Sequence, residues 1–441
     1  MRRILCTSLI LWMLISGRSL AQVSRPLQEF KDYLQVGLPV GFDSTLTYIS
    51  YLRGGNLHYL QPLYQLLGQE RKFRRILKNG AYNEEMSLAL SFLGDYESAM
   101  FYKQPASDQG PDEVARRQVG KLMDGMKDIQ HLEARRYISF VAREYRVIMI
   151  NEAHDQPMHR AFTLSLLEDL YKRGYRYLAM EMLNNFSGNS LDTLNARTGH
   201  FCAEPVAGEL IRRALELGYS LVSYEDTLAQ EHSATQRDSI QAAHIYAVLL
   251  RDSSAKILVH AGYGHIAERN LDSGYIPMGM AFKKMSGIDP LTIDQTDMSE
   301  CSDFAYGRFF YDAYLQKFPI LTPSIALAGD NPINPTHNDI YDLAVIHPRT
   351  LYRDGRPTWL TLGGRRQPFY VKPPSPQTFL VQAYYQFESF HLRPGQAIPA
   401  DQTYVATATG SYLLYLRRGN YILIFRDKSY RVLKTQHVEV N

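Results

Sequence analysis

Four short stretches of this chain carry side chains suited to acid–base chemistry. Asn151-Glu152-Ala153-His154-Asp155 sets a carboxylate and an imidazole two residues apart, so on extended backbone both point the same way. Glu181 closes one apolar run and Glu225-Asp226 another. His260-Ala261-Gly262-Tyr263-Gly264-His265 adds two imidazoles after a third. Carboxylates grouped at a dry edge repel, and they coexist only with bound protons, basic partners or a cation. Glu152, His154, Glu181, Glu225, His260 and His265 are therefore the candidate catalytic residues. His154 can remain neutral against a helix N-terminus and act as a base, with Glu152 and Glu181 orienting and charging it. His260 or His265 would stabilise an oxyanion or protonate a leaving group.

His159, Arg160, Arg237 and Tyr263 are the candidate substrate-binding residues. A solvated helix start is the plainer role for His159 and Arg160. Arg237 could pair with Glu225 or with a substrate carboxylate. There is no Ser in a Gly-x-Ser-x-Gly turn, so a serine nucleophile is not indicated. Mixed imidazole and carboxylate donors suit a divalent metal, with Glu152, His154, Glu181, His260 and His265 as candidates. The chain lacks tight spacing such as His-Glu-x-x-His, which ranks metal-free chemistry first.

These residues need a scaffold, and the hydrophobic pattern supplies one. Arg146–Ile150, Tyr175–Met180, Ser220–Tyr224, Lys256–His260, Leu291–Asp294 and Tyr341–Ile346 read as buried strands. Helical periodicity lies between them: from Pro157 to the stop at Gly174, from near Pro205 to Gly218, over Gln236–Leu250 and over Met278–Met285. Strand–helix alternation implies a mostly parallel sheet with right-handed crossovers, and ligands bind such sheets beyond the carboxyl ends of the strands. The four stretches all lie at those ends.

Upstream, residues 22–130 read as a helical region. Within it Leu93-Gly94-Asp95-Tyr96-Glu97-Ser98-Ala99 resembles part of a tetratricopeptide unit, in a single copy, and Pro105–Pro111 reads as a loop. Residues 131–372 form the α/β domain. After a Pro373–Pro376 linker, 378–441 reads as a small antiparallel β domain with strands Ser411–Leu416, Tyr421–Phe425 and Tyr430–Leu433.

Residues 1–21 read as a signal peptide: Arg2-Arg3, the apolar run Ile4–Ile15 and a Ser19-Leu20-Ala21 cleavage site. Export to the periplasm or the exterior follows, with no later membrane span. Without the three arginines of that segment, the 48 basic groups fall to the 45 of the acidic ones, so nothing favours nucleic acid as a partner. A small-molecule or peptide substrate fits better. Cys202 and Cys301 would remain, either paired or separately buried. The chain also has 31 Tyr against 2 Trp.

The segment Asn-Glu-Ala-His-Asp-Gln-Pro-Met-His (151–159) resembles the Glu-x-His-Asp-x-Pro-x-His signature of ChaN-like haem-binding uptake proteins, a group similar to the erythromycin esterases and the Tiki/TraB metalloprotease-like proteins. His260–His265 and Gly274-Tyr275-Ile276-Pro277 resemble that group's Gly-x-Gly-His and Gly-x-Pro segments, and Glu181 and Glu225 match its strand-closing acids. The resemblance covers about residues 140–300. Asn151 stands where the group usually has Gly, and Arg160 where ChaN-like sequences often have a second His. The resemblance implies a hydrolase of an ester or amide bond, metal-free or metal-dependent. Its alternative is a haem- or metal-binding uptake protein without catalysis, with Tyr263 or a histidine on the haem iron. Tyr263 as a packing residue and a catalytically inactive surface domain are the structural alternatives.

Overall fold

Val147, Ile148, Met149 and Ile150 are all fully buried, as a central strand covered on both faces requires. The computed structural model describes residues 23–441 apart from 40–41, 43–51, 54–55, 105–112, 185–193, 271–273, 303–306, 337–338, 391, 393–394 and 405–409. The proposed signal peptide and the Pro105–Pro111 loop therefore lie outside the described residues.

The run forms β1 (Val147–Glu152). It is joined in one sheet by β2 (Tyr177–Met180), β3 (Ser220–Ser223), β4 (Ile257–Gly262), β5 (Leu291–Asp294) and β6 (Leu343–Ala344). All pairings are parallel, and the spatial order is β6-β5-β1-β4-β2-β3. Helices α1 (Pro157–Lys172), α2 (Pro205–Leu217), α3 (Ala234–Arg251) and α4 (Met278–Ser286) make the four connections from β1 to β5. Their ends follow from sequence. Proline opens the first turn of α1 and α2, Ser233 and Gln236 form a capping box on α3, and Gly218 ends α2 at φ 92°.

Alternation along β1 sorts the two faces. Ile148 and Ile150 join a core with α1 and α2, while Val147 and Met149 join one with α3 and α4. The chain runs from β1 outward to β2 and β3, returns to β4 between β1 and β2, then crosses to β5 on the opposite side. That reversal opens a crevice at the carboxyl ends of β1 and β4, where the candidate residues lie.

The expected helical region contains Arg25–Val36, Gln61–Leu66, Glu70–Leu93, Tyr96–Lys103 and Glu113–Gly125. Gly94, at φ 87°, separates the third and fourth of these, and the Asp95 side chain caps the next helix. Ile129–Glu133 was not anticipated as a strand; it pairs antiparallel with Ser324–Ala328. Leu63 and Leu90 of this region share a continuous core with α1, α2 and, from the C-terminal region, Phe379 and Tyr404.

The C-terminal sheet is antiparallel as expected but larger. Its order is Asp401–Tyr404, Leu380–Tyr385, Gly419–Arg426, Val432–Val440. The β region also begins earlier than the proline cluster suggested, because Gln367–Val371 pairs antiparallel with Tyr412–Leu416. Arg212 of α2 ties this region to the α/β core through buried bonds to Glu388 at 2.6 and 2.9 Å.

The tyrosine excess has a packing explanation. Buried rings of Tyr59, Tyr219 and Tyr224 donate their hydroxyls to the carbonyls of Ala203, Leu167 and His260. Cys202 and Cys301 are buried thiols, not a disulfide, and burial pushes the Cys202 thiol up to about 12, so it stays protonated. Among the described residues no helix is long and apolar enough to cross a membrane.

Candidate active site

Glu152 ends β1 with its side chain 2% exposed. It accepts four hydrogen bonds: Arg160 Nε at 2.7 Å and His260 Nε2 at 2.9 Å on Oε2, Arg160 Nη2 at 2.9 Å and His154 Nδ1 at 3.2 Å on Oε1. That exhausts the roughly four lone-pair sites of a carboxylate. Burial alone would raise its pKa, but Arg160, His260 and His154 together hold it well below the usual range.

Arg160 is not a solvated helix residue, and it does not line the cleft. It is fully buried, bridges Glu152 to Glu204 and donates to the His154 carbonyl at 2.8 Å. Glu204 accepts from Val206 N and Ala207 N at the start of α2, so Arg160 joins the start of one helix to the end of β1. His159 is fully buried too, and its Nδ1 accepts from Ala153 N at 3.0 Å. Both residues hold the backbone that presents His154, a positioning role in place of the substrate contact expected from the sequence.

His154 is different. Its side chain is 28% exposed and stacks on Phe201 at 4.5 Å, with Tyr263 edge-on at 5.1 Å. An ionised Glu152 can only accept, so His154 Nδ1 carries a proton, and in the neutral ring the lone pair is on Nε2. His260, by contrast, is buried with both nitrogens engaged, Nε2 by Glu152 and Nδ1 by Thr163 Oγ1 at 3.2 Å. It is placed to orient Glu152, and neither nitrogen is left to serve an oxyanion or a leaving group.

The second half of the cleft is built around Arg237, in the first turn of α3. Its Nη2 donates to Glu181 at 2.7 Å and its Nε to Glu225 at 2.9 Å, with a further contact from Nη2 to Glu225. Glu181 also accepts from Gly262 N at 2.6 Å. Burial raises the Glu181 pKa, but His265, His154, the Gly262 amide and Arg237 outweigh it and leave the carboxyl below its ordinary value. His265 sits behind, with Nδ1 on Asp238 at 2.9 Å and Nε2 at 3.3 Å from Arg237 and 3.7 Å from Glu181. Burial opposes its protonation, yet Asp238 and Glu181 raise its pKa above the usual value.

Glu152, His154, Glu181, Glu225, Arg237 and His260 thus line one cleft of about 380 Å³, open to solvent. Tyr263 stands at its edge, 41% exposed, at φ 44°, its carbonyl taking a bond from Asn151. Asn151 also binds Asp294 at 2.7 Å and the Gln295 amide, locking the ends of β1 and β5.

The arrangement does not suit a divalent metal. The charges of Glu152, Glu181 and Glu225 are met by two guanidinium groups, and Glu152 has no lone pair to give. Among the described residues no group of three or more His, Cys, Asp or Glu side chains is disposed to hold a metal ion.

Sequence reasoning missed Phe201, Glu204 and Asp238. Glu204 was signalled by its place before Pro205 at a helix start. Phe201 and Asp238 meet the site only through long-range packing, with no local mark.

Two tests follow from this geometry. A Cβ on Gly262 would lie 2.4 Å from His154 Cε1, 2.8 Å from its Nε2 and 3.1 Å from Glu181 Oε2. Gly262→Ala should displace His154 and lower turnover on the order of a hundredfold, with the fold retained. Circular dichroism with kinetics checks this; an Ala variant of full activity would show that the His154 position is not critical.

The other test concerns His159 and His347, whose buried rings lie 5.4 Å apart. Burial holds His159 well below its usual value, with His347 adding to the effect, and burial pushes His347 down to about 3. A depressed imidazole binds a proton in the unfolded chain, near pH 6.5, before it does so in the folded one. Stability is therefore complete above that value and falls as pH drops below it, by about 2 kcal/mol for His347 at pH 5. Urea unfolding at pH 7 and pH 5 should show a smaller pH difference for His347→Gln than for the parent. Equal differences would mean His347 does not titrate on unfolding.

The fold and site define an α/β protein with an acid–imidazole cleft at the carboxyl edge of a parallel sheet. No family model and no curated protein matches the sequence. Solved structures with some likeness include the type III effector HopBA1, 12% identical, covering 39% of this chain and 87% of its own, with a TM-score of 0.26. A structure titled "Bacterial protein toxins" is 12% identical over 63% of this chain and 65% of its own, TM-score 0.32. RRSP, a MARTX toxin effector domain from Vibrio vulnificus CMCP6, is 11% identical over 62% and 63%, TM-score 0.29. The chain spans just under two thirds of the latter two.

Proposed function

We propose that the protein is an exported, metal-free hydrolase of an ester or amide bond, of the kind its ChaN/erythromycin-esterase-like segments suggest. One observation carries the reading: His154 is held through Nδ1 by a saturated, ionised Glu152, while its other nitrogen faces a solvent-open cleft. In the proposed reaction His154 Nε2 takes a proton from water as the water oxygen bonds to the carbonyl carbon. Glu152 stabilises the resulting imidazolium, and the nearby Glu181 adds charge of the same sense. The imidazolium then returns the proton to the departing alkoxide or amine as the carbonyl carbon–heteroatom bond breaks. Water is thereby divided across the bond, with no change in oxidation state.

Arg237 supplies the positive charge on the opposite wall and fixes Glu181 and Glu225. A panel of aryl esters, lactones and short peptides, screened with the parent and with Glu181→Gln, tests the reading. Turnover by the parent, reduced at least on the order of tenfold in the variant, is expected. Equal turnover by both would remove Glu181 from the reaction.

A further inference from the structure

The far wall of the cleft converges on a residue with no counterpart among the sequence motifs. Asp238 lies one residue after Arg237 in α3 and is fully buried. Its Oδ2 accepts from His265 Nδ1 at 2.9 Å, from the Tyr275 hydroxyl at 2.6 Å and from Met278 N at 2.9 Å. These donors come from three places: the turn after β4, the Gly274–Pro277 segment and the first residue of α4. Pro277, the residue preceding α4, offers no side-chain cap, so Asp238 provides that helix start with its acceptor from another element.

We propose that Asp238 is a positioning residue for the active site, fixing His265 through Nδ1 so that Nε2 alone faces Arg237 and Glu181 of the cleft wall. A carboxylate only accepts hydrogen bonds, which requires the His265 proton to sit on Nδ1. Nε2 is then left between Arg237 Nη1, which can only donate to it, and Glu181 Oε1, which can only accept from it. With Nε2 bare, His265 takes a bond from Arg237; with Nε2 protonated, it faces Glu181. His265 thus holds Arg237 through Nη1 while Nε and Nη2 reach Glu225 and Glu181, and Asp238 sets the ring orientation that makes this possible. The charged and titratable groups around the ring are Asp238 and Arg237 from α3, Glu181 from the end of β2, and Tyr275 from the segment before α4. The catalytic consequence rests on the hydrolase reading; the placement of the proton does not.

The test is imidazole nitrogen NMR on the full chain with labelled histidine, His265 being assigned by its loss in His265→Gln. The neutral ring of the parent should carry its proton on Nδ1. Asp238→Asn, which keeps an acceptor oxygen, should preserve that form, and Asp238→Ala should convert the ring to the Nε2-protonated form. Tyr275→Phe, which removes a donor and leaves the carboxylate, should match the parent. A parent protonated on Nε2, or an Asp238→Ala ring indistinguishable from it, would overturn the proposal. The parent spectrum decides the matter even if the Ala variant does not fold. No hydrolysis by a protein that shows the expected tautomer would count against the hydrolase reading instead.

Discussion

Replacing Arg160 with Met should destabilise the protein by about 3–5 kcal/mol, the largest single effect among the charged residues of the site. The guanidinium is fully buried and holds two buried carboxylates, Glu152 with two bonds and Glu204 with one at 3.2 Å. Removing it leaves two negative charges without their cation in a region water does not reach. It also frees the His154 carbonyl, so the loop from β1 to α1 loses one of its anchors, another being His159 on Ala153 N. Lys would be a poor replacement, because a single ammonium cannot match a planar fork on Glu152 and reach Glu204 together. Denaturant unfolding of the parent, Arg160→Met and Arg160→Lys measures the cost. A loss under about 1 kcal/mol for Met, the scale of a surface pair, would mean the two glutamates are neutral in the fold.

His154→Gln should behave in the opposite way, with stability nearly unchanged and turnover reduced on the order of 10²–10⁴-fold. The imidazole is partly exposed and its one strong tie is to Glu152, which keeps three other donors without it. Glutamine fills similar space beside Phe201 but carries no nitrogen able to take a proton at neutral pH. Steady-state kinetics with unfolding curves on the same samples separates the effects. A variant that loses turnover only in proportion to its unfolded fraction would make His154 a structural residue.

Together the two substitutions divide the cluster into residues that hold and residues that face the cleft, and the chain sequence shows this division only in part. The parallel sheet was readable because β1, β2 and β4 are continuous apolar runs closed by Glu or His, and because Gly218 and Ser233 mark helix ends. The placing of Glu152, His154, Glu181, Glu225 and His260 around one cleft followed from those strand ends. What the sequence could not show is which side of each residue is occupied. Arg160 and His159 sit in the first turn of α1, where polar side chains commonly face water; here the turn packs against α2 and the β1 terminus, and both are buried. Asp238 and Glu204 act across 27 and 44 residues of chain, on His265 and Arg160, and such pairings are set by tertiary packing. The C-terminal strands Leu380–Tyr385 and Asp401–Tyr404 were missed for a related reason, since both are buried throughout and lack the alternation that marks a half-exposed strand.

Each carboxylate of the cleft has a guanidinium partner, Glu152 in Arg160 and Glu181 and Glu225 in Arg237, which lets them coexist without a divalent cation. The most direct measurement is turnover by protein dialysed against a strong chelator, with metal content determined on the same sample. Activity unchanged in metal-free protein is the predicted result. Activity that vanishes with the chelator and returns on adding one divalent metal would contradict it, and would require Arg160 or Arg237 to leave its glutamates when the metal binds.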